Sequence, residues 1–515
     1  MYNKIYYLKG ILMRIVKSAT LDEIEAISVN VESTFTKGLP SFSVIGMVST
    51  SISEARDRVK SALLINECKF PPLKITVNLS PSEIKKKGTQ FDLAIALQIA
   101  LFEEKYIQFK ETYVFGELGL DGIVKDNDFI FPIVLSLAKQ GLVNEVLVCK
   151  NTAIKIEKIP NLKIYVVQSL QEAIEFFKSS DKSKYIHKKE NYDYKKFIIN
   201  NKEYFYTEDY SDDYKEVIGQ DIAKHASLIS LCGSHNLILT GSPGCGKSMI
   251  INRMKHIQAP MSLEEILEKA KLQSLQGSDV DFVPKRVFKA VHCSSTKSSV
   301  FGGGSGTAKI GEIALCNGGM MFFDELPHFP KSVLESLREP LQDNKILISR
   351  VNSKVLYNTN ITFVAAQNPC PCGNLLSSVK ECRCSEIEIQ RYKNKISEPI
   401  LDRIDLYVIM NDTFNDNKNI VSSKELHETV IKTFKIQKQR GQSQLNGKLD
   451  DSEVKKYCVL EDDCIEIFEK AKRNYQLSFR SVNKVLKVAR TIADINENEK
   501  ISKKDLLQSL SYRRR

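Results

Sequence analysis

Residues 237–252 constrain this chain more than any other stretch. The apolar run Leu237-Ile-Leu-Thr240 passes directly into Gly241-Ser-Pro-Gly-Cys-Gly-Lys247-Ser248 and then into the helix-compatible Met249-Ile-Ile-Asn252. Strand, Gly-x-x-x-x-Gly-Lys-Ser and helix, in that order, are the parts of a phosphate-binding loop in an α/β block. Glycines let consecutive backbone N–H groups turn toward one point at the positive end of the helix that follows. Gly241, Ser242, Pro243, Gly244, Cys245 and Gly246 would then cradle phosphate. Lys247 would reach the β- and γ-phosphates of ATP, and the Ser248 hydroxyl would sit on Mg²⁺. The competing reading, an accidental Gly/Ser turn, leaves the flanking strand and helix unexplained.

A second element agrees. Met320-Met-Phe-Phe323 is an apolar run that ends in Asp324-Glu325. It reads as a buried central strand delivering an acid pair at its C-terminal end, where ligands sit in open α/β sheets. Asp324 would hold Mg²⁺ and Glu325 would polarise an attacking water.

Length and charge bound the rest. A chain of 515 residues suggests about three domains. Its composition is that of a soluble globular protein, no apolar run reaches membrane-spanning length, and no cleavable leader is legible, so a cytoplasmic location is expected. Residues 1–12 read as an N-terminal extension, 13–177 as a mixed α/β domain, 178–212 as a polar linker, 213–415 as the nucleotide-binding block and 416–515 as a helical region. The net charge of +11 permits nucleic-acid binding. Lys470, Lys472, Arg473, Arg480, Lys484, Lys487 and Arg490 crowd one C-terminal stretch, which is either a basic surface or an ordinary solvated helix face.

Cys370-Pro-Cys372 and Cys382-Arg-Cys384 place four soft ligands within fifteen residues. Such a set suits tetrahedral zinc, although Cys-x-Cys is tighter than the usual zinc spacing. A reduced structural cluster and a redox-active pair are the alternatives. With four protein ligands no coordination position stays open, so a metal here would staple the loop rather than perform chemistry.

Several motifs stand in a fixed order around the phosphate loop: Val217-Ile-Gly-Gln220, Phe301-Gly-Gly-Gly-Ser305, Gly311-Glu-Ile313, Asp324-Glu-Leu-Pro327, Asn368-Pro-Cys-Pro-Cys-Gly373, Ile400-Leu-Asp-Arg-Ile-Asp405 and Val488-Ala-Arg-Thr-Ile-Ala-Asp494. In this the chain, from about residue 13 to its end, resembles the ComM/YifB family of magnesium-chelatase-like AAA+ ATPases. The resemblance implies an α/β multidomain protein: a Lon-protease-like N-terminal domain, an AAA+ core and a C-terminal helical lid. It implies a homo-hexameric ring that hydrolyses ATP and drives branch migration of DNA junctions during recombination or natural transformation. By the same resemblance Asn368 matches the sensor-1 residue that orients the attacking water. Arg403 matches an arginine finger reaching a neighbouring subunit's γ-phosphate, and Arg480 in Leu477-Ser-Phe-Arg480 matches the sensor-2 arginine. Residues 301–313 fall where related folds insert a hairpin. Lys345-Ile-Leu-Ile-Ser-Arg350 and Lys354-Val-Leu-Tyr357 read as a second hairpin. Lys345, Arg350 and Lys354 would contact DNA phosphates without reading sequence.

The sequence departs from the family before the acid strand, where Cys316-Asn-Gly318 stands in place of the usual histidine. The N-terminal domain departs from a protease at both catalytic positions. Gln90 falls at the nucleophile's place and Phe131 near the lysine's. An amide and a phenyl ring form neither an activated nucleophile nor its base, so no peptidase activity is expected. The alternative to the DNA motor is a chelatase-like or protein-remodelling ATPase without DNA activity.

Overall fold

The computed structural model describes the whole chain except residues 1–6, 9–10, 13, 105–106, 108, 110, 191, 304–308, 350–353, 412–419 and 514–515. It divides into two compact units. The first holds residues 1–193 together with 267–282, and the second holds 194–266 and 283–515.

The first unit is built on a seven-stranded mixed sheet. Its order is Lys163–Val166, Glu145–Val148, Tyr113–Val114, Arg14–Asp22, Glu25–Thr36, Lys74–Ser80, Ser41–Ile45. The long pair Arg14–Asp22 and Glu25–Thr36 is antiparallel, while the outer strands on the Lys163 side pair in parallel. The helix Asp92–Ala100 is apolar apart from Asp92 and Gln98 and is buried from Asp92 to Ile99. Such a helix is stable only inside a core. Arg58 bonds the buried Asp92 through Nε at 2.8 Å and Nη2 at 3.2 Å. Desolvation, outweighing Arg58, still lifts the Asp92 carboxyl to about 6. Gln90 is fully buried and donates to the carbonyls of Ala19 and Lys87 at 3.3 and 2.9 Å. Phe131 is buried in the helix Ile130–Lys139. Tyr7–Leu8 and Ile11–Leu12 form a short antiparallel pair ahead of the first long strand.

The second unit centres on a five-stranded parallel sheet in the order Phe288–Val291, Met320–Phe323, Thr362–Gln367, Leu237–Gly241, Leu406–Met410. The three central strands are almost wholly buried and largely apolar, as a sheet covered on both faces requires, whereas the edge strand Leu406–Met410 alternates and leaves Ile409 exposed. Thr362–Gln367 lies between the phosphate-loop strand and the acid strand. Asn368 therefore projects from the same sheet edge as the loop and the acids. The helices Asp221–Gly233 and Lys247–Met254 cover the sheet, and Val430, Phe434, Val488 and Ile492 from the C-terminal helices join the same core.

Part of the segment expected to be a linker is ordered. Lys195–Ile199 and Lys202–Tyr206 form an antiparallel hairpin, and Met261–Ser262 adds a third strand. Phe197 and Tyr204 pack near Phe434, with the Tyr204 ring edge-on at 5.0 Å. Aromatic anchoring of this kind is what the polar composition of 178–212 concealed. The C-terminal region is helical as expected, with the helices Ser423–Gln439, Asp462–Asn474, Phe479–Ile495 and Lys503–Ser511. The short helix Asp451–Tyr457, with a capping box between Asp450 and Glu453, was not anticipated.

The basic C-terminal stretch does not form one cationic face. Arg490 is fully buried, and its Nε and Nη2 lie 3.1 and 2.9 Å from Asp494 Oδ1. Lys484 bonds the carbonyls of Asp402 and Ile404, Lys470 pairs with Glu466, and Lys472 pairs with Glu469. Lining the charges up along the chain concealed that the helices turn them in different directions.

Candidate functional site

The phosphate loop takes the form its glycines allow. Gly244 and Gly246 have φ of +84° and +93°, a region that side chains rarely enter. Gly241 is required for space: a Cβ there would lie 2.7 Å from Cys245 Sγ and 2.9 Å from the Met410 carbonyl. Gly246 caps the helix Lys247–Met254, whose first N–H groups face the loop. The Lys247 ammonium is buried at the loop's centre, 2.6 Å from the Gly241 carbonyl, 2.9 Å from that of Ser242 and 3.2 Å from Asn368 Oδ1. Gln220, which the sequence offered only as part of a motif, donates to the Cys245 carbonyl at 3.3 Å and to that of Asn411 at 2.8 Å.

The acid pair meets this loop. Ser248 Oγ donates to Asp324 Oδ2 at 3.2 Å, so hydroxyl and carboxylate offer two oxygens to one cation. Glu325 adopts φ of +53°, uncommon for a residue with a Cβ, and donates its N–H to Asp324 Oδ1 at 3.0 Å. Both carboxylates are exposed at the sheet edge. The structure thus brings together Lys247, Ser248, Asp324 and Asn368 as a set able to hold an Mg²⁺-bound polyphosphate, with Glu325 beside Asp324. Tyr392 completes this corner and was not foreseen. It is buried on the helix Glu386–Lys393, with its phenol near enough to the Asn368 backbone N–H and the Glu325 carboxylate to be influenced by both. Burial pushes this phenol up to about 12, with the charge of Glu325 adding to it.

Arg403 and Arg480 stand elsewhere. Both line a cavity of about 790 Å³ together with Gln342, Asp402, Asn483 and Lys484. Arg403 donates to the carbonyls of Pro399 and Arg338, the latter at 3.0 Å, and to Gln342, none of them in the phosphate loop. Asn236 fixes the turn beneath it by donating to the Arg403 carbonyl at 2.8 Å. Arg480 lies 3.7 Å from Asp402. Burial, then the neighbouring charges of Arg480 and Arg338, hold the Arg403 pKa below its ordinary value. Guanidinium groups crowded in this way favour an incoming anion.

The four cysteines converge. All their sulfurs lie within 4.8 Å of one another, with Cys370–Cys372, Cys372–Cys382 and Cys370–Cys382 at 3.5, 3.6 and 3.7 Å. These spacings are far beyond a disulfide bond. They are close to the edge of about 3.8 Å of a tetrahedron with metal–sulfur distances of about 2.3 Å. The backbone N–H groups of Asn374 and then Arg383 hold the Cys372 thiol down to about 6. At Cys382 and Cys384 a backbone N–H is outweighed by burial and the neighbouring sulfurs, which push these thiols up, so the cluster shares its protons unevenly.

Lys345 and Lys354 are exposed on one face of the antiparallel hairpin Lys345–Ser349 and Lys354–Asn358, with the exposed Leu347 and Leu356 opposite each other between them. Arg350 lies outside the described residues. In the shorter insert, Gly302–Gly303 pairs with Lys309–Ile310.

Sheet order, phosphate loop and acid strand define an AAA+ ATPase of the magnesium-chelatase type. Residues 213–418 match the family described as magnesium chelatase, subunit ChlI. Residues 31–151 match subunit ChlI of Mg-chelatase, and 421–513 match its C-terminal region. The chain is 32% identical over 510 residues to the competence protein ComM of Haemophilus influenzae, covering 97% of each chain. It is 33% identical over 511 residues to the uncharacterized protein YifB of Salmonella typhimurium, covering 95% of each. An uncharacterized protein of Mycobacterium bovis is 30% identical over 388 residues, 74% of each chain. The chain belongs to the ComM/YifB family.

Proposed function

We propose that this chain is an ATP-hydrolysing ring motor that acts on branched DNA. The observation that carries the reading is the division of the ATP machinery. Lys247, Ser248, Asp324, Glu325 and Asn368 gather at one sheet edge, whereas Arg403 and Arg480 line a separate cavity. A site split in this way is complete when a second copy lends its Arg403, which is the logic of a closed ring. Here Lys247 and the loop hold ATP, Ser248 and Asp324 hold Mg²⁺, Glu325 and Asn368 orient water, and Arg403 neutralises charge spreading over the γ-oxygens of its neighbour's ATP. Cys370, Cys372, Cys382 and Cys384 hold a structural Zn²⁺.

The substrate reading rests on two supports. The Haemophilus influenzae relative is named a competence protein. The hairpin carrying Lys345 and Lys354 offers cations flanking an exposed Leu pair, suited to a phosphate backbone. We read the N-terminal unit as lacking protease chemistry, since buried Gln90 and Phe131 supply neither nucleophile nor base.

The test measures ATP turnover with single-stranded, duplex and four-way-junction DNA, alongside strand release from the junction. Turnover stimulated by DNA together with ATP-dependent junction resolution is expected. Turnover indifferent to every DNA would replace this reading with a chelatase-like or protein-remodelling ATPase.

A further inference from the structure

We infer that the four-cysteine loop is a metal-held clamp on the nucleotide site, so that zinc retention and nucleotide binding strengthen each other. The inference rests on the zinc and ATP readings above and adds the link between them. The loop touches the ATP site on two sides. At its start, Gly373 lies directly on the phosphate loop: a Cβ there would come 2.6 Å from Pro243 Cδ, and its φ is +80°. At its end, the helix Glu386–Lys393 begins two residues after Cys384 and is fixed by a capping box between Ser385 and Glu388. That helix carries the buried Tyr392, whose phenol lies beside the Asn368 backbone N–H. Asn368 in turn stands 3.2 Å from the Lys247 ammonium and two residues before Cys370.

Apolar burial does not hold this loop in place. Leu375 is 38% exposed and Val379 is 82% exposed. Ordering residues that bury so little costs conformational entropy that hydrophobic packing does not offset. Convergent sulfurs at tetrahedral spacing supply the missing constraint when they share a metal. With the metal bound, Gly373 is pressed against Pro243 and Tyr392 against Asn368. With the metal gone, both seats loosen. A nucleotide that orders the phosphate loop and Asn368 favours the seated loop, and by thermodynamic reciprocity the same factor appears in metal affinity.

The full-length protein is purified with zinc in the medium, and its metal content is measured by mass spectrometry. Zinc transfer to a chromophoric chelator is then timed with and without a slowly hydrolysed ATP analogue and Mg²⁺. About one zinc per chain is expected, released roughly tenfold more slowly with the analogue, within the usual range of couplings. Lys247→Ala should show no slowing. Gly373→Ala should keep its zinc and lose most of the slowing, because the new methyl group forces the loop off Pro243. A wild-type chain without zinc would sink the clamp together with the zinc reading. Zinc present but released equally fast when a fluorescent-nucleotide titration proves the site filled would overturn the coupling alone. Absence of nucleotide binding by the wild-type chain would overturn the clamp and the ATP reading with it.

Discussion

Lys247 and Arg403 are both cations that the ATP reading requires, and they do opposite jobs. The Lys247 ammonium is buried among carbonyls of its own loop and beside Asn368. Lys247→Ala removes the only side-chain charge of the loop and should weaken nucleotide binding by an order of magnitude or more, read by fluorescent-nucleotide titration. Unchanged affinity would remove the loop from the binding site. Arg403 makes its bonds away from the loop, so Arg403→Ala should leave that affinity intact. It should lower turnover roughly 10³-fold or more, as loss of a trans-acting arginine does. Mixing Arg403→Ala with Glu325→Gln protein should restore part of the turnover, since some junctions would pair an intact Glu325 with an intact Arg403. If no mixing ratio raises turnover, the finger does not act across subunits. Lys247, Ser248, Asp324 and Glu325 were legible because their types and spacings are dictated locally by strand, loop and helix. Tyr392 and Gln220 were not, because each meets the site only after distant segments fold together.

The helices of the C-terminal region show how far periodicity carries at the scale of an element. The helical character of 416–515 followed from charges interleaved with Ile, Leu and Val, and the structure adds caps at Ser422, Ser478 and Ser502. What each helix touches did not follow. His427, on the helix Ser423–Gln439, is buried with Nε2 at 3.2 Å from the Gln258 carbonyl and Nδ1 at 2.9 Å from the Tyr210 hydroxyl. A carbonyl only accepts, so Nε2 carries the proton and Nδ1 receives the hydroxyl. That arrangement suits the neutral ring, and burial depresses its pKa from 6.5 to about 4. The native state therefore resists the proton that the unfolded chain accepts. Stability from this group is complete above about pH 6.5 and is lost as pH falls from there toward 4. At about 1.4 kcal/mol per pH unit the loss is roughly 3 kcal/mol. Urea denaturation between pH 7 and pH 4.5 should show it, and His427→Gln should flatten the dependence. An equally steep loss in that variant would assign the effect to other groups. In the helix Phe479–Ile495, Arg490→Met leaves the buried Asp494 with Arg440 and Asn446 as its remaining partners and should cost about 1–3 kcal/mol. Thermal unfolding checks this, and an unchanged midpoint would contradict the buried pair.

At the scale of the whole molecule, the proposed trans role of Arg403 would make assembly part of the activity. Specific turnover should rise with protein concentration and level off where sedimentation velocity shows the assembled species. Full specific activity from a monomer would contradict the divided site. By itself, the sequence determined what rests on short-range physics: a phosphate loop between strand and helix, an acid pair at the end of an apolar strand, four clustered thiols, and helices read from apolar periodicity. Backbone conformation and side-chain type settle these within a few residues. Tertiary structure alone decided which of them meet. It set Thr362–Gln367 beside the phosphate-loop strand and so Asn368 against Lys247, seated Gly373 on Pro243, and anchored the 195–206 hairpin on Phe434. It also took Arg490 out of an apparent basic stripe and into a buried ion pair. Each of these contacts joins segments, or faces of a helix, whose proximity depends on packing of the entire core, and linear spacing carries no record of it.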